Sequence, residues 1–143
     1  MTDDEIKTRS RIILRSLAIW LVLICAEIVH GILRELFLVR LVGHFRSNQI
    51  GVFTGSAIII AIAYLTIRWI GAKQTSDFLF LGAIWLVMTV AFEVLFGRFV
   101  IRLPWEELLE GYNIAEGGLM PFGLLVLLFS PLIATKLQGN WNP

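Results

Sequence analysis

Residues 12–33 have the sequence IILRSLAIWLVLICAEIVHGIL. At about 1.5 Å per residue, an α-helix of this length crosses a hydrocarbon core of about 30 Å. Three further apolar runs follow, at 50–70, 78–100 and 114–135. Because backbone polar groups in lipid must be satisfied within the segment, each run predicts a transmembrane helix. We therefore predict an all-α integral membrane protein, a four-helix transmembrane bundle that forms a single domain over residues 1–143.

The composition of the chain excludes several other classes of protein. Hydrophobic residues make up 57% of the sequence and charged residues 16%, and the mean hydropathy is +0.80, which is more apolar surface than a soluble domain of this length buries. A net charge of +1 lacks the basic surplus of nucleic-acid-binding proteins. Cys25 is the single cysteine, and no serine lies in the sequence context of a nucleophile, so an enzymatic function is not favoured.

The distribution of lysine and arginine predicts that both termini are cytoplasmic. More basic residues lie on the side of the membrane that holds the termini than on the other. The first group is Lys7, Arg9, Arg11, Arg15, Arg68, Lys73 and Lys136, and the second is Arg34, Arg40, Arg46, Arg98 and Arg102. We expect a multi-pass protein of an inner or plasma membrane, with the lipid bilayer as its surroundings.

The connections between the apolar runs, and the prolines of the fourth run, also predict local structure. Within 104–110, Trp105, Leu108 and Leu109 share one helical face after Pro104, which predicts a short amphipathic helix on the outer membrane surface. Residues 36–45 are too apolar for a free loop, and they either extend the first helix or fold back along the interface. Pro121 and Pro131 predict that the fourth span is kinked or starts late.

The two halves of the chain share short segments. Ala18-Ile19-Trp20-Leu21-Val22 recurs at 83–87, and Glu27-x-x-x-Gly31 recurs at 93–97. The matches indicate two tandem parallel two-helix repeats. They disagree in offset by one residue, and chance similarity between apolar helices is the alternative.

Ionisable side chains collect in the predicted outer half of the bundle. Glu27, His30 and Arg34 follow at i, i+3 and i+7 and so lie on one helical stripe. Because such groups are costly in lipid, they face a bundle interior and find partners there. We predict a polar pocket lined by Glu27, His30, Arg34, Glu93, Arg98 and Glu116. Glu27 can pair with His30 or Arg34 on its own helix. Ion pairs of Glu27 with Arg98 and of Glu93 with Arg34 across the helices would suit a pseudo-symmetric bundle, and the alternative to a pocket is that such pairs only fix helix register.

Glu27-x-x-His30 also has the spacing of carboxylate-bridged di-metal sites. The third span offers Phe96 where the second histidine would be needed, so a di-metal site is not predicted. A single divalent ion held by Glu27, His30 and Glu93 is a weaker hypothesis, and no other cofactor is expected.

The pocket predicts transport or binding of a proton, a cation or a small polar solute. The alternative is a non-catalytic accessory or assembly subunit of a membrane complex.

Gly51-Val-Phe-Thr-Gly55 predicts close helix contact, either within the bundle or in a homodimer. Four compact spans with a glutamate in the first resemble the layout of small multidrug-resistance exporters, although Glu93 on the third span and the long outer connections depart from that pattern.

Overall fold

The computed structural model describes residues 2–72, 74–110 and 112–139, without the side chain of Glu116. Its helices are α1 (Asp3–Val42), α2 (His44–Ile70), α3 (Thr75–Val100), α4 (Trp105–Glu110) and α5 (Met120–Leu137), with a 3-10 turn at Ile114–Glu116. The described residues contain no β-strand. Helices α1, α2, α3 and α5 are long and apolar enough to cross a membrane, which confirms the prediction of an all-helical chain with four helices able to span the bilayer.

The helix ends differ from the apolar runs at two places. Residues up to Val42 continue α1, and Gly43 turns the chain directly into α2 with a φ of 85°, a left-handed value that favours glycine. Extension of the first helix is therefore the correct alternative for residues 36–42. Helix α5 begins at Met120 and not at 114, because Gly117 ends the preceding 3-10 turn with a φ of 89°.

The four long helices form an antiparallel bundle in which α5 packs against α2 and α3, and α1 packs mainly against α2. One end carries the Gly43 turn and residues 101–119, and we call it the loop end. The other end carries the start of α1 at Asp3, the end of α5 at Leu137 and the turn after Ile70, and we call it the terminal end. The apolar core lies towards the terminal end and includes Leu23, Ala63, Ile67, Ile70, Leu81, Trp85, Leu127 and Ala134.

Two tryptophans link α1 to α3 within this core. The Trp85 indole donates to the Ser16 carbonyl at 3.0 Å, and the Trp20 indole donates to the Thr89 hydroxyl at 3.0 Å. Buried indole N–H groups need such acceptors. Both tryptophans therefore fill the apolar core, on the terminal-end side of Glu27 and Glu93.

Helices α3 and α5 approach each other closely at Gly82. A Cβ added there would lie 1.7 Å from the Leu128 carbonyl oxygen, so only glycine allows this contact. Nearby, Pro131 lacks the N–H that would bond to the Leu127 carbonyl. The Ser130 hydroxyl donates to that carbonyl at 2.8 Å, which satisfies the acceptor that proline leaves open.

Helices α1 and α3 both contain a π-helical turn near the loop end, at Arg34–Leu38 and Phe96–Val100. Helix α4 follows shortly after the second of these, at the position predicted from Pro104. Its orientation at a membrane surface stays a prediction, as does the tandem repeat. The repeated glycines differ in surroundings, since a Cβ at Gly31 would meet no atom within 4 Å and one at Gly97 would lie 2.5 Å from Leu108 Cδ2.

Candidate functional site

The predicted stripe on α1 faces α2 in the half of the bundle near the loop end. Because α1 and α2 are joined by a single turn at Gly43, they run side by side as a hairpin. A Cβ at Gly55 would lie 3.0 Å from Glu27 Oε2, and one at Gly51 would lie 2.9 Å from a terminal nitrogen of Arg34. The small residues of α2 thus leave room for two charged side chains of α1, and both glycines are buried within the bundle.

His30 connects α1 to α2 between these two contacts. Its Nε2 lies 2.6 Å from the Thr54 hydroxyl, and its Nδ1 lies 3.6 Å from Glu27 Oε2. The His30 side chain is 18% exposed and that of Glu27 is 31% exposed. The imidazole therefore bridges a carboxylate of α1 and an exposed hydroxyl of α2.

Glu93 brings a second carboxylate from α3 to the same region. Its Oε2 accepts a hydrogen bond of 3.0 Å from the Tyr112 hydroxyl. Glu27 interacts electrostatically with the Glu93 carboxylate and with the Arg34 guanidinium. We call Glu27, His30, Arg34, Glu93, Thr54 and Tyr112 the polar cluster.

The expected ion pairs across the helices are wrong for the part of the chain that the structure describes. No carboxylate there lies within 4.0 Å of Arg34 or Arg98, and the ion pairs of Glu27 and of Glu35 are with histidines. Arg98 contacts the adjacent connection, because its guanidinium donates to the Leu103 carbonyl at 3.3 Å and lies 5.5 Å from the Trp105 ring. Arg98 thus anchors the connection to α4 and does not line the polar cluster.

Three buried polar side-chain atoms among the described residues lack a hydrogen-bond partner. They are Glu27 Oε1, Arg34 Nε and Ser47 Oγ. All three lie at the contact between α1 and α2, since Ser47 is one helical turn before Gly51 on α2. Buried polar atoms are normally satisfied, so this contact has hydrogen-bonding capacity that the described side chains leave unused.

Sequence reasoning found most of the cluster and missed two of its members. The structure brings Glu27, His30, Arg34 and Glu93 together, whereas Arg98 lies apart and the side chain of Glu116 lies outside the description. Thr54 and Tyr112 were not among the predicted site residues. The position of Tyr112 directly before the fourth apolar run was the available signal for its contact with the bundle.

The described residues contain no group of three His, Cys, Asp or Glu side chains arranged to hold a metal ion. A single divalent ion at Glu27, His30 and Glu93 stays a hypothesis. Two shallow surface grooves, on α2 beside Leu137 and on α1 around Cys25, are lined mainly by apolar residues. Neither groove includes a member of the polar cluster.

Comparisons of the chain with models of protein families, with curated proteins and with solved structures found no match.

Proposed function

We propose that this membrane protein binds a proton or a small cation at the paired carboxylates of Glu27 and Glu93, and that it transports this ligand. The observation that carries the proposal is that the Glu27 carboxylate on α1 lies within electrostatic range of the Glu93 carboxylate on α3, with no arginine within ion-pair distance of either among the described residues. Two like charges in a medium of low dielectric favour uptake of a proton or a cation.

The surroundings of the two carboxylates support the same ligand class. The Tyr112 hydroxyl and the His30 ring contact them as neutral or titratable groups, so neither permanently cancels their charge. Glu27 Oε1 is buried without a hydrogen-bond partner in the described structure, so its acceptor capacity is unused, as expected of an atom that takes up a proton or a cation. Arg34 limits the net charge of the cluster.

Reconstitution into liposomes tests this function. Proton movement is measured with a pH-sensitive dye trapped in the vesicles under an imposed potassium diffusion potential, and sodium movement is measured with a radioactive tracer. We expect flux of one of these ions above that of protein-free vesicles, and its loss in Glu27→Gln and in Glu93→Gln. Glu106→Gln is the matched control, because Glu106 is an exposed residue of α4.

Parent protein whose fluxes equal those of protein-free vesicles, or Gln variants with undiminished flux, would contradict the transport proposal. The alternative function is that of a non-catalytic accessory subunit of a membrane complex. Stoichiometric co-purification of another membrane protein, lost when the exposed acidic residues of α4 are replaced, would favour that function.

A further inference from the structure

Tyr112 is the member of the polar cluster that does not belong to a spanning helix. It lies in the connection between α4 and the 3-10 turn at Ile114–Glu116. Its backbone N–H donates to the Leu109 carbonyl at 3.0 Å, so it continues directly from the end of α4. Its side chain is partly buried and its hydroxyl reaches Glu93 on α3.

Several independent contacts hold this connection against α3. The Leu103 N–H donates to the Gly97 carbonyl at 2.8 Å, and the Arg98 guanidinium donates to the Leu103 carbonyl. Leu108 then lies directly over Gly97, where no side chain separates it from the helix backbone. These contacts fix the path of the chain up to α4 and so determine where Tyr112 enters the bundle.

The far side of the same connection is held by α2. The Gln49 side-chain amide donates to the Gly117 carbonyl at 2.9 Å, and a Cβ at Gly117 would lie 2.9 Å from the Phe45 ring. The connection therefore crosses the loop end from α3 to α2, and the Tyr112 side chain reaches from it to the Glu93 carboxylate.

We propose that Tyr112 is a positioning residue for the ligand site, whose hydroxyl orients the Glu93 carboxylate and whose ring separates that carboxylate from the water at the loop end. This inference rests on the proposed function of the two carboxylates. It adds that the Glu93 carboxylate is covered from the loop end. A ligand that binds Glu93 Oε2 must displace the phenol, because the Tyr112 hydroxyl donates its hydrogen bond to that oxygen.

The chemical reactivity of Glu93 tests the proposal independently of any ion flux. The purified full-length protein in lipid nanodiscs is treated with a water-soluble carbodiimide and glycine ethyl ester, and the labelling of Glu93 is followed by peptide mass spectrometry. Loss of one ordinary hydrogen bond corresponds to a change of roughly five-fold, so we expect labelling of Glu93 to rise by about that factor in Tyr112→Phe and further in Tyr112→Ala.

Two controls separate positioning from a general loss of structure. Tyr64→Phe changes the other tyrosine of the chain, which lies on α2 in the terminal half, and we expect the labelling of Glu93 to stay at the parent value. Tyr112→Phe keeps the packed ring, and we expect a melting temperature close to that of the parent. Enhanced labelling of Glu93 confined to the Tyr112 variants supports the proposal.

Equal labelling of Glu93 in the parent, in Tyr112→Phe and in Tyr112→Ala would overturn the inference, because the carboxylate would then be equally accessible without the phenol. Failure of the proposed function has a different signature. In that case the parent shows no ion flux in liposomes, while the labelling of Glu93 still depends on Tyr112.

Discussion

The carboxylate of Glu27 lies against the backbone of Gly55, so that a Cβ at residue 55 would be 3.0 Å from Glu27 Oε2. A charged side chain and a glycine on adjacent helices thus occupy the space that two apolar side chains would fill in an ordinary helix contact. Gly51 and Gly55 therefore leave space for the side chains of Arg34 and Glu27, in addition to allowing close helix packing.

Replacement of Gly55 by leucine should destabilise the bundle. The added side chain displaces Glu27 and overpacks the contact between α1 and α2, and we expect a loss of about 1–3 kcal/mol in the free energy of unfolding. Thermal unfolding in detergent, followed by circular dichroism, measures the effect.

The matched control for Gly55→Leu is Gly31→Leu, because a Cβ at residue 31 would meet no atom within 4 Å. Its melting temperature should stay close to that of the parent. Equal losses of stability in both variants would show that the contact between Glu27 and Gly55 has no special packing role.

Replacement of Ser130 by alanine should also reduce stability. The Ser130 hydroxyl satisfies the Leu127 carbonyl in a buried part of α5, where Pro131 supplies no N–H. A buried acceptor left without a partner costs about 1–3 kcal/mol, and we expect a loss of that size in the free energy of unfolding. Unfolding in a denaturing detergent measures it.

Ser56→Ala is the control for Ser130→Ala. The Ser56 hydroxyl also donates to a helix carbonyl, that of Val52 at 2.6 Å, but the backbone N–H of Ser56 is available to the same acceptor within α2. We expect a smaller loss of stability than for Ser130→Ala. The reverse order would contradict the role assigned to Ser130 beside Pro131.

Tyr112 should resist ionisation in the folded protein. Burial raises the pKa of its phenol above the ordinary value, and the Glu93 carboxylate and the hydrogen bond to it act in the same direction. Since the folded pKa exceeds the unfolded one, this contribution to stability is fully present below about pH 10 and is lost as the pH rises beyond that value.

Ultraviolet absorbance of phenolate in a Tyr64→Phe background reports Tyr112 alone. The titration should lie at higher pH in the folded protein than in denaturant, and replacement of Glu93 by glutamine should move it towards lower pH. Coincident titrations of folded and denatured protein would mean that the phenol is exposed to water.

The orientation of the bundle is tested by cysteine labelling in intact cells, in a Cys25→Ser background. With both termini in the cytoplasm, an impermeant thiol reagent should label Glu107→Cys on α4 and should not label Gln74→Cys in the turn before α3. Labelling after permeabilisation of the cells verifies that both sites react. The reverse pattern in intact cells would place the termini outside.

Periodicity and hydropathy predicted the four spanning helices because lipid requires long apolar segments with internally satisfied backbones. They also placed Glu27, His30 and Arg34 on one stripe. The pairing of charges depends on side-chain direction across helices, which sequence spacing does not specify. Arg98 illustrates this, since its guanidinium turns to Leu103 and Trp105 in the adjacent connection. Tyr112 was missed because its approach to Glu93 requires a fold of the connection that no helical period describes.

The spanning helices differ greatly in length. Helix α5 has 18 residues and α1 has 40, which at about 1.5 Å per residue correspond to about 27 Å and 60 Å. A hydrocarbon core of about 30 Å is thicker than α5 is long, and such hydrophobic mismatch is relieved when the bilayer thins beside the short helix. Lipids with longer acyl chains should therefore strain the bundle at α5. The first residue of α5 directly follows the connection that contains Tyr112, so the segment next to the bilayer mismatch is the one that contacts Glu93.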